Sequence, residues 1–282
     1  MAALTDLSDL VNRATGGNSG TPETHFFFKT PYTSGTAVTW TSGLLYDFWL
    51  YDGFPSAGAT PTTVAAPDNT SAGAIPFATP GGGRQKWLTQ TAFTYPGSSE
   101  IPMMMLYDRL LHIGGLDGTV TTAQTVGGTL TRNTGGVGNK IMVEVYSSVG
   151  TTARTITASY TNQDGTASRT TETAPIGATL GTLGNEVTGW VELPLQAGDI
   201  GVQSVQDVTL SASTGTAGDF GVTIIKPLLW MQTGDSFRAF DDPLSGVNLI
   251  PEIESGACLA FGGLVTSASE VPFFGMLSSV EA

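Results

Sequence analysis

From residue 139 to residue 231 apolar and polar positions alternate with a period of two. In ARTITASYTNQDGTASRTT (153–171), Ile156, Ala158 and Tyr160 fall on one side of an extended chain. Thr155, Thr157, Ser159 and Thr161 fall on the other, and Gln163-Asp164-Gly165 marks the reversal. A period of two with turn residues at its end predicts a strand with one buried and one wet face. The segments KIMVEVYSSV, GWVELPLQ, GVQSVQDVTLSAS and DFGVTIIKPLLW repeat the pattern. Their spacing predicts an all-β fold, an antiparallel β-sandwich or jelly roll. Its core strands lie in 139–231 and are completed by strands from 24–51, where THFFFKT and GTAVTW are rich in β-formers.

Other stretches follow different rules. LLYDFWLYDGF (44–54) is apolar on both alternating faces, so it predicts a strand buried on both sides. Residues 53–83 hold no period, and their glycines and prolines predict a long ordered loop or extended arm. At the N-terminus Leu4, Leu7, Leu10 and Val11 recur at helical spacing, Thr5 can cap the start and Gly16-Gly17 stops the turn. They predict a short amphipathic helix over 5–14. In PMMMLYDRLLHIGGLDG, Met104, Tyr107 and Leu111 followed by Gly114-Gly115 predict a second helix over 103–112. The expected organisation is an N-terminal helix and arm (1–20) before one β domain (21–282). That domain has a loop and helix insertion at 53–138 and a C-terminal extension at 232–282.

Composition narrows the partners. The 282 residues are 40% hydrophobic and only 12% charged, so a sizeable core is available and the surface relies on hydroxyls and backbone. A net charge of −13 repels phosphate backbones, which excludes nucleic acid as a natural partner. Cys258 is alone and has no disulfide partner. With only His25 and His112, the chain offers little to a transition metal, and no cofactor is expected. The N-terminus lacks the charged and apolar regions of a signal peptide, and no run approaches ~18 apolar residues, so no membrane partner is expected.

The chemical motifs fail one by one. In GGVGNKI, Asn139 separates Gly138 from Lys140 where a phosphate loop needs G-K. NQDG lacks the acidic spacing of a calcium loop, and FPSAG has Phe54 where a serine-hydrolase elbow needs glycine. Asp108 and His112 stand four apart on the expected helix, where a histidine in the last turn simply favours the dipole. Asp47 and Asp52 beside Trp49 and Tyr51 are the best candidates for a sugar-stacking cleft with paired carboxylates. Core packing is the competing role for those aromatics.

Several long segments carry a resemblance. LSDLVNRATGGNSGTPE, LYDGFPSAGATPTTVAAPDNT, GGGRQKWL, LYDRLLHIGGLDGTVTTAQTVGGTLTRNTGG, SYTNQDGTASRTT and LPLQAGDIGVQSVQDVTLSASTGTAGDFGV together resemble a family of structural proteins of tailed bacteriophages. The resemblance runs over nearly the whole chain and implies a virion component, not an enzyme, with no catalytic residues to carry over. The major shell subunit of such phages is a mixed α/β fold with long helices, for which this chain has no room. An acidic all-β protein with an apolar arm better suits a capsid decoration, or cement, protein. The partners would then be the phage major capsid protein or other virion proteins and further copies of the chain, with a homotrimer expected. Leu4, Leu7, Leu10 and Val11 are the expected contact with a neighbouring subunit or the capsid. A head fibre or tail protein, and a carbohydrate-binding module or glycosidase, are the alternatives.

Overall fold

The computed structural model describes residues 12, 21–80, 84–94, 103–178, 185–232, 239–241, 251–266 and 272–281. The N-terminal helix expected over 5–14 lies outside them except for Asn12, whose backbone is helical; no other described residue is helical.

The architecture is all-β, but it is not the expected pair of sheets. A closed six-stranded barrel stands at the centre, in the order Gly189–Leu193, Leu45–Asp47, Leu259–Leu264, Met103–Leu116, Asp219–Gln232 and Lys140–Ser147. A sheet covers each of two sides of it. The first, here the terminal sheet, runs Ala239–Asp241, Lys86–Thr94, Phe273–Glu281, Thr21–Lys29, Gly53–Phe54, with Glu252–Ile253 also on Lys86–Thr94. The second, the threonine sheet, runs Arg169–Thr170, Arg154–Asn162, Val202–Leu210, Gln124–Thr125, with Ala174–Ile176 also on Arg154–Asn162. All their strand pairs are antiparallel. A two-stranded ribbon, Tyr32–Thr33 with Thr36–Ala37, stands apart.

Three cores follow from this layering. Phe27, Leu88, Phe93, Phe273 and Leu277 of the terminal sheet meet Tyr46, Met104, Leu106, Leu259 and Phe261 of the barrel wall. Ile156, Ala158, Tyr160, Val205 and Val208 of the threonine sheet meet Ile141, Val143, Val222 and Ile224 of the wall. Met105, Tyr107, Met142, Trp190, Ile225 and Ala260 fill the barrel itself. Barrel strands are therefore buried on both faces, which is why Met103–Leu116 reads as a continuous apolar run in sequence.

That explains the main correction. Residues 103–112 are not helical; they open the strand Met103–Leu116, whose register against Asp219–Gln232 and Leu259–Leu264 covers both its edges. A continuous apolar run does not distinguish a buried strand from a buried helix by period alone. A bulge helped to mimic helical spacing: Arg109 pairs with Ile225 and Leu111 with Ile224, leaving Leu110 as the extra residue.

Residues 44–54 are likewise broken, forming Leu45–Asp47 and Gly53–Phe54 with a turn between. Residues 53–83 are the expected long loop in their described part; Gly58 passes so close to Trp49 that a Cβ would sit 2.1 Å from its ring. The expected strand at 153–162 is Arg154–Asn162, with Ile156, Ala158 and Tyr160 buried and Thr155 exposed. Its reversal is at 163–165, with Gly165 at φ 76°. Residues 232–282, read from sequence as an extension, give Leu259–Leu264 to the barrel and Phe273–Glu281 to the terminal sheet.

Candidate functional site

Two places concentrate chemistry, and they differ in access. The first is the barrel interior. Arg109 is fully buried and holds two carboxylates: its Nη1 lies 2.5 Å from Asp47 Oδ2 and its Nη2 lies 2.6 Å from Glu144 Oε2. Tyr107 donates to Asp47; Tyr146 and Thr223 donate to Glu144 at 3.0 Å each. The Trp49 ring lies over the guanidinium at 4.9 Å, and Arg109 Nε donates to His112 Nδ1 at 2.9 Å.

Burial dominates the electrostatics. The Asp47 carboxyl is pushed up to about 8 by burial and by the Glu144 charge, against the pull of Arg109. His112 is pushed down to about 3 by burial and then by the Arg109 charge. Burial also raises the Cys258 thiol, as expected of a small apolar side chain.

The sugar-stacking cleft expected from sequence is therefore absent at these residues. Asp47, Trp49 and Tyr51 are 0%, 2% and 0% exposed, and Asp52 instead accepts from the Gly35 N–H at 2.9 Å. Nor does Asp108 orient His112. Arg132 grips Asp108 with Nε at 3.0 Å and Nη2 at 2.9 Å, and the Cys258 N–H donates to the same carboxylate at 2.8 Å. Phe54 and Pro55 near the failed elbow motif are held differently: buried Lys29 donates to the carbonyls of Tyr51, Pro55 and Ser56 at 2.9, 2.8 and 3.4 Å.

The second place is the outer face of the terminal sheet. On Thr21–Lys29, Phe27 and Lys29 point into the core, so Thr24, Phe26 and Phe28 point out. Across the ladder Phe28 pairs with Phe274 on one side and with Phe54 on the other. The Phe28 and Phe274 ring centroids are 4.9 Å apart. Two residue pairs further along, on the same face, Phe26 stands opposite Met276, which stands opposite Ala92. Two apolar rows thus cross the sheet, and Phe26, Phe54 and Phe274 are 69%, 55% and 40% exposed. Exposed large apolar groups gathered on one sheet face mark an interaction surface.

Leu4, Leu7, Leu10 and Val11, the contact residues expected from sequence, lie outside the described residues. The aromatic face was missed in the sequence, though THFFFKT carried its sign. A half-buried strand needs a polar residue at alternate positions, and three consecutive phenylalanines place at least one ring in solvent.

No family model matches the chain, and no curated protein matches it. Among solved structures, the VP2 subviral particle of infectious bursal disease virus is 11% identical over 100% of this chain and 83% of that one, with a TM-score of 0.22. The Gt strain of the same virus is 9% identical over 93% and 81%, with a TM-score of 0.20. Likeness at this level does not amount to a shared fold.

Proposed function

We propose that this chain is a structural component of a tailed-phage virion, a decoration protein that binds the outside of the head. The observation that carries the assembly reading is the contrast between the two places above. The ionisable cluster Asp47, Arg109 and Glu144 is sealed, each residue 0% exposed, and so contacts no substrate. What the terminal sheet presents to solvent is a flat apolar face, Phe26, Phe28, Phe54 and Phe274, suited to burial against another protein surface. The long segments that resemble phage structural proteins supply the setting, and the expected partners are the major capsid protein and further copies of the chain. The protein acts without catalysis in this reading, as a homo-oligomer for which a trimer is expected.

The test is binding to phage heads assembled without the protein. Purified wild type should saturate them at a fixed number of copies per head. F54K with F274K, which places two charges on the aromatic face, should weaken binding at least about 100-fold while the circular dichroism stays that of a β protein. Wild type that ignores heads but binds tails or fibres would move the chain elsewhere in the virion. Wild type that binds neither would end the virion reading.

A further inference from the structure

Among the described residues, the strand that carries Phe26 also has an edge paired only at one end. Thr21–Lys29 pairs along its whole length with Phe273–Glu281 on one side. On the other, among the described residues, only Gly53–Phe54 pairs with it, and only at Phe28 and Lys29. The direction of the backbone groups on that edge is fixed by two facts. The Thr30 N–H donates to the Asp52 carbonyl at 2.9 Å, and the Phe28 carbonyl crowds Gly53, where a Cβ would sit 2.0 Å from its oxygen. Thr30 and Phe28 therefore aim their N–H and C=O groups at this edge. In an antiparallel ladder alternate residues share a direction, so Phe26 and Thr24 aim theirs the same way. The next residue in the series is Pro22, which has no N–H to lose there, the usual place for proline in a sheet.

We infer that this edge pairs antiparallel with the same edge of a second copy of the chain, about a two-fold axis at Thr24. A row of unpaired N–H and C=O groups is a template for another strand. An antiparallel edge is complementary to itself under a two-fold rotation, so one surface serves as both halves of the contact. With Thr24 on the axis, Thr24 faces Thr24 of the other copy and Phe26 faces its Pro22, clear of the Gly53–Phe54 strand at Phe28, and four backbone hydrogen bonds close. The exposed Phe26 side chains are then brought beside Pro22 of the opposite copy, and the apolar rows of both sheets run on as one face. The inference deepens the assembly reading and rests on it for its setting. Because the contact closes between two chains, it joins trimers to one another where trimers form.

The experiment uses the full-length protein, wild type and T24P. Proline at position 24 removes an edge-facing N–H and leaves the ladder to Phe273–Glu281 intact. Sedimentation velocity of wild type should show species with even numbers of chains, and T24P should raise the dissociation constant of that pairing at least about 100-fold. The Phe26 amide should exchange more slowly with deuterium as wild-type concentration rises, and not in T24P. Should T24P fold poorly, F26K tests the same edge at a 69% exposed side chain. Wild type that stays a single chain at about 100 µM, or a trimer that T24P leaves unchanged with free exchange at Phe26, overturns the pairing. Head binding separates the two claims. T24P that binds heads but does not pair supports both, wild type that binds heads without pairing removes only the edge contact, and wild type that pairs but binds no phage part removes only the virion reading.

Discussion

Arg109 Nη1 stands 2.5 Å from Asp47 Oδ2, and neither side chain has any exposed surface. Glu144 shares the same guanidinium, so one cation serves two carboxylates inside the barrel. Replacing it, R109M, leaves the Asp47–Glu144 pair without its cation in a dry interior. The expected loss is about 3–5 kcal/mol, read as a lower midpoint in urea. Neutralising the partners as well, D47N and E144Q in the R109M background, should recover most of it. A loss that persists in the triple variant would mean that packing around Arg109, and not its charge, is what the barrel needs.

The same cluster predicts a pH dependence. Asp47 rises from 3.8 unfolded to about 8 folded, so across that range the native state holds a proton the unfolded chain has lost, and stability falls as pH rises. His112 drops from 6.5 to about 3, so across that range the unfolded chain holds the extra proton, and stability falls as pH falls. Between about pH 4 and 6.5 the two slopes oppose each other. H112N should therefore lose its stability relative to wild type as pH rises from 3 to 6.5, by at most about 1.4 kcal/mol per unit. Urea midpoints of the two proteins at matched pH cancel every other group. A difference that is flat over that interval would mean His112 is not held neutral in the fold.

Lys29 binds three carbonyls of the 51–56 turn, and burial lowers its ammonium to about 8 against the raising charges of Asp47 and Asp52. K29M keeps the length of the side chain and removes every donor. About 3 kcal/mol should be lost, because the carbonyls stay buried without a partner. Exchange of the 52–58 amides by mass spectrometry should speed up while the threonine sheet stays protected. Uniform loosening of both would contradict a local role for Lys29.

On the threonine sheet, T157V exchanges a half-buried hydroxyl for a methyl of the same shape on the outer face. Stability should change by less than about 0.5 kcal/mol. A158L, one residue on, forces three extra carbons into the core beside Ile156 and Tyr160 and should cost about 1–3 kcal/mol. Equal effects from the two would show that the hydroxyl face is covered by something more than water.

The parts of the fold that were legible in the sequence are those with one wet face. Arg154–Asn162 alternates because one face is buried while the other, with Thr155, Thr157, Ser159 and Thr161, meets water. The barrel strand at 103–116 was illegible for the opposite reason. Met103–Leu116 meets one core on its outside and another on its inside, and its bulge at Leu110 spaces apolar residues like a helix. Asp47 was singled out by its aromatic neighbours, but the residue that decides its fate, Arg109, lies 62 positions away. Position along the chain does not say that a carboxylate will be neutralised in a core. The aromatic face was written in Phe26, Phe27 and Phe28 and again in Phe273 and Phe274, where adjacent rings must take opposite sides of a strand.

The pairing of Thr21–Lys29 with Phe273–Glu281 has a consequence for the order of events at the ribosome. Thr24 and Ser278 touch at a sequence separation of 254, so the strand Thr21–Lys29 waits for most of these residues to be made. Until then Phe26 and Phe28 have no Phe274 or Met276 beside them, and the apolar rows do not exist. A nascent or truncated chain thus lacks both rows, and on the assembly reading proposed above synthesis itself serves as the timer.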